Sequence, residues 1–159
     1  MKTAKPEIKF RYLRKDEVTL MTDYRIEFLK ELQGTHSTEK EQMLRKELTS
    51  YFEKSLSDEN YIAVTAEIDG NPAGFGGMVI QQIPGNFKLI SGREGYILSM
   101  YTLPGFRKMG IAGGILDKLV KKGRELGLGK ISLHASAEGF PIYKKYGFKE
   151  PVMPVLEIK

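Results

Sequence analysis

One stretch of the sequence constrains the fold more than any other, because its periodicity changes from strand to helix and back to strand. Glu94–Leu103 has the composition of a strand, and Lys130–Ala135 has the pattern of a second, shorter strand. Between them lies an apolar stripe at helical spacing, which consists of Ile111, Ile115, Leu119 and Leu126. A helix between two strands is a crossover connection, so the predicted sheet contains a parallel pair.

The rest of the chain adds a hairpin and further helices to this unit. The patterns predict strands at Glu7–Leu13, Tyr61–Ile68, Ala73–Ile83 and, as one or two strands, Phe148–Ile158; they predict helices at Val18–Leu32, Thr38–Leu56 and Phe140–Tyr146. A hairpin followed by a crossover helix implies an α/β (α+β) fold, in which helices cover both faces of a mixed central sheet.

Local signals indicate where several of these elements begin or end. Thr38 and Glu41 have the spacing of a capping box at the start of the second helix. Gly34 is placed to end the first helix. Asp69–Pro72 has the composition of the turn that joins the two hairpin strands.

Length and composition exclude several classes of protein. A chain of 159 residues is of single-domain size, so we expect one domain over residues 1–159. It contains no cysteine, and His36 and His134 lie far apart, so we expect no disulfide, no thiol nucleophile and no metal site. There is no apolar run of transmembrane length, and Met1–Lys5 has no signal-peptide core, so we expect a cytoplasmic protein without a membrane partner.

The positive charge is concentrated in the last third of the chain. The net charge is +5, and residues 101–159 carry 11 basic and 5 acidic residues. This distribution suits an anionic partner, or simply a solvated helix face rich in lysine. Nucleic acid is not expected, since there is no arginine-rich tract and no RNA-binding signature.

The turn between the predicted strand and the crossover helix has the features of an anion site. The first turn of a helix has unpaired backbone amides, and small residues at Gly110, Ala112 and Gly113 let an anion approach them. Arg107 and Lys108 add positive charge. These features indicate a diphosphate cradle, with a tightly packed turn as the alternative. Neither a P-loop nor a dinucleotide fingerprint is present.

A second segment, Ala135–Phe148, points to a known family. Together the two segments resemble the GNAT superfamily of N-acetyltransferases, which carries Arg/Gln-x-x-Gly-x-Gly/Ala at the strand-to-helix turn and often a later Tyr-x-x-x-Gly-Phe. The matching residues are Arg107, Gly110 and Ala112 in the first motif and Tyr143, Gly147 and Phe148 in the second.

The resemblance implies acetyl-CoA as the acyl donor. Its pyrophosphate would lie on the amides of residues 109–113, and its pantetheine arm would run beside the strand at residues 100–102. Ser136 lies where many members have an asparagine that contacts pantetheine. The implied donor-binding residues are Met100, Tyr101, Thr102, Arg107, Lys108, Met109, Gly110, Ile111, Ala112, Gly113 and Ser136.

The implied reaction is direct attack of a primary amine on the thioester. Tyr143 has the position of the family's general acid, which protonates the departing thiolate; the alternative is an aromatic that only packs. Glu94 is the candidate base that removes a proton from the amine, and the alternative is a solvated residue at the rim of the sheet. Tyr96 and His134 are its rivals, and a structural role is the alternative for His134. Of the first two helices, Tyr24, Phe28, Tyr51 and Phe52 suit either core packing or an acceptor pocket.

The sequence therefore predicts an acetyl-CoA-dependent N-acetyltransferase, with a small-molecule amine as the favoured acceptor. The alternatives are a non-catalytic acyl-CoA-binding or regulatory module, and an acyltransferase that uses a peptide N-terminus, a hydroxyl acceptor or a longer acyl donor. Many family members dimerise, sometimes through C-terminal strands, so Pro151–Ile158 is a candidate for the contact in a homodimer; its prolines equally suggest a protected sheet edge.

Overall fold

The computed structural model describes residues 4–159; Met1–Thr3, which belong to the Met1–Lys5 segment considered in the sequence for a signal peptide, lie outside the described residues. The strands are β1 (Ile8–Tyr12), β2 (Tyr61–Ile68), β3 (Asn71–Gln82), β4 (Arg93–Thr102) and β5 (Lys130–Leu133). The helices are α1 (Val18–Gln33), α2 (Thr38–Ser57), α3 (Ile111–Glu125) and α4 (Phe140–Tyr146), with short 3-10 turns at Lys15–Glu17 and Pro104–Phe106.

The five strands form one mixed sheet in the order β1-β2-β3-β4-β5. Neighbouring strands from β1 to β4 are antiparallel, and β5 is parallel to β4 because α3 carries the chain back across the sheet. The predicted mixed sheet and its crossover helix are confirmed.

Helices cover both faces of the sheet, as predicted. On one face α3 buries Ile111, Ile115 and Leu119 against Met78 and Ile97, and α4 packs beside it. On the other face α1 and α2 form a second core, which contains Leu13, Met21, Phe52, Leu56, Tyr61 and Ala63. Side chains of β4 alternate between these two cores, as the pleat requires.

The hairpin turn is shorter than predicted. Asp69 and Gly70 both have positive φ, at 51° and 76°, which is typical of a two-residue turn matched to the twist of the strands. Strand β3 therefore begins at Asn71 rather than Ala73. Pro72 lies inside β3, where the register shifts at a bulge and a missing backbone donor is tolerated.

The start of α2 corrects one prediction. The N-cap is Ser37, whose Oγ accepts a hydrogen bond from the Lys40 amide at 3.2 Å. The predicted capping box of Thr38 and Glu41 is therefore wrong by one position. Glu41 instead forms an ion pair with Lys30, with the two atoms 3.2 Å apart.

The predicted strands after α4 are absent from the part of the chain that the structure describes. Residues 149–159 are exposed and have no strand pairing. Val152 and Ile158 are 100% and 99% exposed. A strand needs an edge to pair with, and Pro151 and Pro154 lack the amide donors for it, so apolar alternation alone does not produce one here.

Candidate active site

The candidate site lies where β4 and β5 separate. Their parallel pairing runs from Glu94 opposite Lys130 to Ile97 opposite Leu133, and there β5 ends. Strand β4 continues to Thr102. The β4 backbone beyond Ile97 therefore has no strand partner on its β5 side among residues 4–159, which leaves the amides and carbonyls that point to that side free to bind a ligand. The Thr102 carbonyl is not one of these free groups, because it accepts a hydrogen bond from Arg107.

A bulge in β4 marks the same place. Leu98 pairs with Gly77 and Tyr101 with Phe75, so β4 contains one residue more than β3 between these pairs. Ser99 lies in the bulge with a φ of 59°, a left-handed conformation that serine rarely adopts. Nothing in the sequence indicated this bulge.

The start of α3 has the conformation that an anion site needs. Gly110, the N-cap, has a φ of 82°, and no side chain caps the helix. A Cβ placed on Gly105, Gly110 or Gly113 would meet no atom within 4 Å, so the space above the first turn is open. The amides of that turn have no partner within the helix itself.

Arg107 turns toward α1 rather than across the start of α3. Its Nε donates to the carbonyl of Thr102 at 3.1 Å, and its Nη2 lies 2.6 Å from Oε1 of Glu31. This hydrogen bond to Glu31 raises the pKa of Arg107. Lys108 is exposed and has a φ of 64°.

The side chains of the other predicted donor-binding residues point to different faces of the sheet. Ile111 is 1% exposed in the core, so only its backbone faces the open space. Met100 also packs against the core beneath α3. Tyr101 faces the opposite way, with its ring centroid 6.4 Å from that of Phe28 on α1. Burial raises the pKa of Tyr101.

Tyr143 and Ser136 lie on and just before α4. Tyr143 is 9% exposed, burial raises its pKa, and no hydrogen bond to its hydroxyl is formed by the residues that the structure describes. Ser136 holds the entry to the helix, since its Oγ accepts from the Gly139 amide at 3.1 Å. The structure therefore gives the Ser136 hydroxyl a local role as acceptor.

Glu94 is buried at the far end of β4. Its Oε1 accepts from Nε2 of Gln81 at 2.6 Å, and its Oε2 lies 3.6 Å from Nζ of Lys130. Oε2 is buried and has no hydrogen-bond partner within the described residues. Glu94 lies roughly 16 Å along the strand from the bulge at Ser99, since each residue adds about 3.3 Å.

The two rivals of Glu94 form a pair. The Tyr96 hydroxyl and Nδ1 of His134 are 2.5 Å apart. Tyr96 is opposite Ser132 in the β4–β5 register, and His134 follows two residues later, so both side chains lie on the same face of the sheet. The contact between these two residues cannot be predicted from the sequence, because it depends on the β4–β5 register.

The aromatic residues of α1 and α2 do not all face a cavity. Tyr24 is buried and stacks on Phe75, with ring centroids 4.3 Å apart, and Phe52 belongs to the second core. Core packing is therefore the role of Tyr24 and Phe52. Phe28 is half-buried and Tyr51 is 43% exposed, so only these two have surface toward solvent.

Comparison with known proteins identifies the family. Residues 21–148 match the sequence profile of the Acetyltransferase (GNAT) family. This chain belongs to that family. The resemblance seen in the sequence is therefore confirmed, and the chain is an acetyltransferase with the GNAT fold.

Several solved structures are similar to this acetyltransferase over nearly all of its length. A predicted acetyltransferase from Clostridium acetobutylicum, solved with acetyl-CoA, is 32% identical, with a TM-score of 0.85 and 96% of each chain covered. A GCN5-related N-acetyltransferase from Ralstonia eutropha is 22% identical, with a TM-score of 0.82 and coverages of 96% and 99%. Glucosamine-6-phosphate N-acetyltransferase from Arabidopsis thaliana is 21% identical, with a TM-score of 0.71 and coverages of 96% and 98%.

Comparison with curated protein sequences gives no match. Among the described residues, no group of three or more His, Asp or Glu side chains could hold a metal ion. No helix within residues 4–159 is long and apolar enough to cross a membrane.

Proposed function

We propose that this acetyltransferase transfers the acetyl group of acetyl-CoA to a primary amine of a small molecule by direct attack of the amine on the thioester. One observation carries the proposal: the end of β4 that has no partner on its β5 side is followed, after the Pro104–Phe106 turn, by the uncapped start of α3. A long ligand with an amide-containing arm and a diphosphate matches these two neighbouring surfaces.

The donor-binding residues support this arrangement. Backbone groups of Met100–Thr102 that lack a strand partner would pair with the amides of pantetheine, as an added strand would. The diphosphate would lie on the amides of residues 109–113, where the open space at Gly110 and Gly113 admits it. The relative from Clostridium acetobutylicum was solved with acetyl-CoA, which favours the same donor here.

The transfer step makes three demands on the protein. The amine nitrogen attacks the carbonyl carbon and the C–S bond breaks, so the oxyanion formed in between needs a hydrogen-bond donor. A backbone amide of Met100–Thr102 would supply it. The departing thiolate takes a proton from the Tyr143 hydroxyl. The ordinary pKa of a tyrosine is about 10, and burial raises that of Tyr143 further, so the phenol carries its proton at neutral pH.

The amine must also lose a proton. Glu94 is one candidate base, and it would need a chain of waters because it lies far from the bulge. The Tyr96–His134 pair is the nearer candidate. In that route the ammonium N–H bond breaks as a proton moves to the Tyr96 oxygen, while the Tyr96 proton moves to Nδ1 of His134. His134 is exposed, so it can pass the proton to solvent.

We also propose a homodimer that forms through Pro151–Ile158. Val152, Val155, Leu156 and Ile158 are at least 70% exposed, and adjacent exposed apolar side chains usually mark an interface. Light scattering on the full chain should give the mass of a dimer, and Leu156→Asp should give a monomer. A monomeric full chain at about 100 µM would contradict this part of the proposal.

Melting with and without acetyl-CoA tests the donor. A ligand that binds only the native state raises the melting temperature. We expect a rise in the wild type that is lost in a folded Gly110→Glu variant. A screen of amines for thiol release then tests catalysis. A melting shift without thiol release would favour the non-catalytic module. Absence of a shift would direct the search to longer acyl donors.

A further inference from the structure

Among residues 4–159, the positive charge of one arginine lies between the predicted donor and acceptor regions without a carboxylate partner. Arg25 is half-buried on α1, and its Nη1 donates to Oγ of Ser99 in the β4 bulge at 2.8 Å. Its guanidinium carbon is 5.8 Å from the ring centroid of Phe28. Arg25 therefore faces the part of β4 that has left β5.

The surroundings of Arg25 differ from those of most arginines in the chain. Arg11, Arg14, Arg45 and Arg107 each lie within 4.0 Å of a carboxylate oxygen. Within the described residues, Arg25 has no such partner. The titratable side chains that interact with its charge are the tyrosines at positions 51, 61 and 96.

Burial without a counter-charge disfavours the charged form, and it lowers the pKa of Arg25. A guanidinium still remains charged in a protein at neutral pH. It has five N–H donors, and only one of its nitrogens is engaged by Ser99. The remaining donors have the geometry that binds a carboxylate or phosphate through two parallel hydrogen bonds.

We propose that Arg25 binds an anionic group, a carboxylate or a phosphate, on the acceptor amine. This inference rests on the proposed function, and it narrows the acceptor to amines that also carry a negative charge. Arg25 lies about 9 Å before Glu31 along α1, and Glu31 pairs with Arg107 in the loop that leads to the proposed diphosphate site. The charge of Arg25 is therefore placed at the reacting end of the donor rather than at its diphosphate.

Matched pairs of acceptors test the proposal. One pair is an amino acid and the amine formed by its decarboxylation; the other is an amino sugar 6-phosphate and the unphosphorylated amino sugar. Thiol release from acetyl-CoA gives kcat/KM for each compound. We expect at least one anionic member to exceed its neutral partner by about tenfold or more, as for a hydrogen bond to a charged group. The pair with the larger ratio identifies the anion.

Substitutions assign the preference to Arg25. Arg25→Gln should reduce the ratio within that pair to about one, and Arg25→Lys should retain part of it, because a lysine keeps the charge but not the fork. Arg124→Gln removes the same charge from an exposed residue of α3 and should leave the ratio unchanged. Ser99→Ala removes the hydrogen bond but keeps the charge, so it should retain the preference even where it lowers the melting temperature.

The outcomes separate the two proposals. Equal kcat/KM for anionic and neutral acceptors in the wild type would overturn the role of Arg25 while the acetyltransferase proposal stands. A preference for the anionic acceptor that persists in Arg25→Gln would also overturn the role of Arg25 and leave the acetyltransferase proposal in place. Failure of every amine to release thiol would overturn the proposed function, and the inference about Arg25 with it.

Discussion

Nη2 of Arg107 lies 2.6 Å from Oε1 and 2.7 Å from Oε2 of Glu31, so one nitrogen is shared by both oxygens of the carboxylate. This contact joins the loop before α3 to helix α1. The arginine proposed to lie beside the diphosphate is thereby neutralised by α1, the same helix that presents Arg25 to the β4 bulge. Helix α1 therefore contacts both the proposed donor region and the proposed acceptor region.

Glu31→Gln should strengthen acetyl-CoA binding. The substitution frees the Arg107 charge for the diphosphate, and an exposed ion pair of this kind is worth at most about 1 kcal/mol, so we expect Kd to fall by up to about fivefold. Titration calorimetry measures this directly. Glu47→Gln, on the exposed side of α2, changes the net charge equally and should leave Kd unchanged. Weaker binding in Glu31→Gln would show that Glu31 orients Arg107 instead of competing for it.

Gly113→Ala should separate stability from binding. Alanine is favoured over glycine in a helix by about 1 kcal/mol, and a Cβ at this position meets no protein atom, so the apo protein should melt at a higher temperature. The same methyl group would occupy the space assigned to the diphosphate, so the shift caused by acetyl-CoA should shrink.

The neighbouring glycine is the control for that experiment. A Cβ on Gly114 would clash with the ring of Phe10, which packs against the core, so Gly114→Ala should destabilise the protein. If acetyl-CoA raises the melting temperature of Gly113→Ala as much as that of the wild type, the diphosphate does not bind at the first turn of α3.

Much of the fold could be predicted because its signals are local. Gly110 and Gly147 mark the start of α3 and the end of α4, and both have the positive φ that favours glycine. The Tyr61–Ile68 strand was predicted with its observed bounds. The prediction of strands at Phe148–Ile158 was wrong. The apolar alternation is present there, but the described part of the chain offers it no strand partner, because pairing is a property of the whole sheet.

The candidate site was less predictable because its key contacts are not local. A serine at position 99 carries no signal for a left-handed bulge. The side chain of α1 that reaches this bulge depends on how the helix packs on the sheet. The contact between Tyr96 and His134 depends on the β4–β5 register, which only the folded structure fixes.

Acid should weaken the protein through Glu17. Hydrogen bonds from Arg11 lower the pKa of Glu17 from 4.5 to about 2, so the ionised carboxylate stabilises the native state above about pH 4.5. That contribution is lost as the pH falls toward 2. Urea unfolding should show a steeper loss over this range in the wild type than in Glu17→Gln. Asp16→Asn removes an exposed carboxylate and should follow the wild type; parallel curves for all three proteins would contradict the assignment.

Tyr143→Phe should lower kcat by about 100-fold or more while the acetyl-CoA melting shift persists, because a general acid contributes about 10²–10⁴ in rate. The ordinary pKa of a tyrosine is about 10, and burial raises that of Tyr143. Activity that needs the protonated phenol should therefore still be present at about pH 10. Tyr146→Phe is the matched control on the same helix, since its hydroxyl instead donates to Asp117 at 2.9 Å. Equal kcat in Tyr143→Phe and the wild type would leave Tyr143 a packing residue.

The Tyr96–His134 pair should carry the proton from the amine, and its variants should fail in a distinctive way. Tyr96→Phe and His134→Gln each interrupt the relay, so each should lower kcat by about 100-fold, and the double variant should be hardly worse than either, because both break one route. Tyr12→Phe and His36→Gln make the same substitutions away from the place where β4 and β5 separate, so both variants should keep the wild-type kcat. A loss of kcat in Glu94→Gln but not in the Tyr96 and His134 variants would contradict this prediction. The base would then be Glu94 acting through water, and the contact between Tyr96 and His134 would have only a structural role.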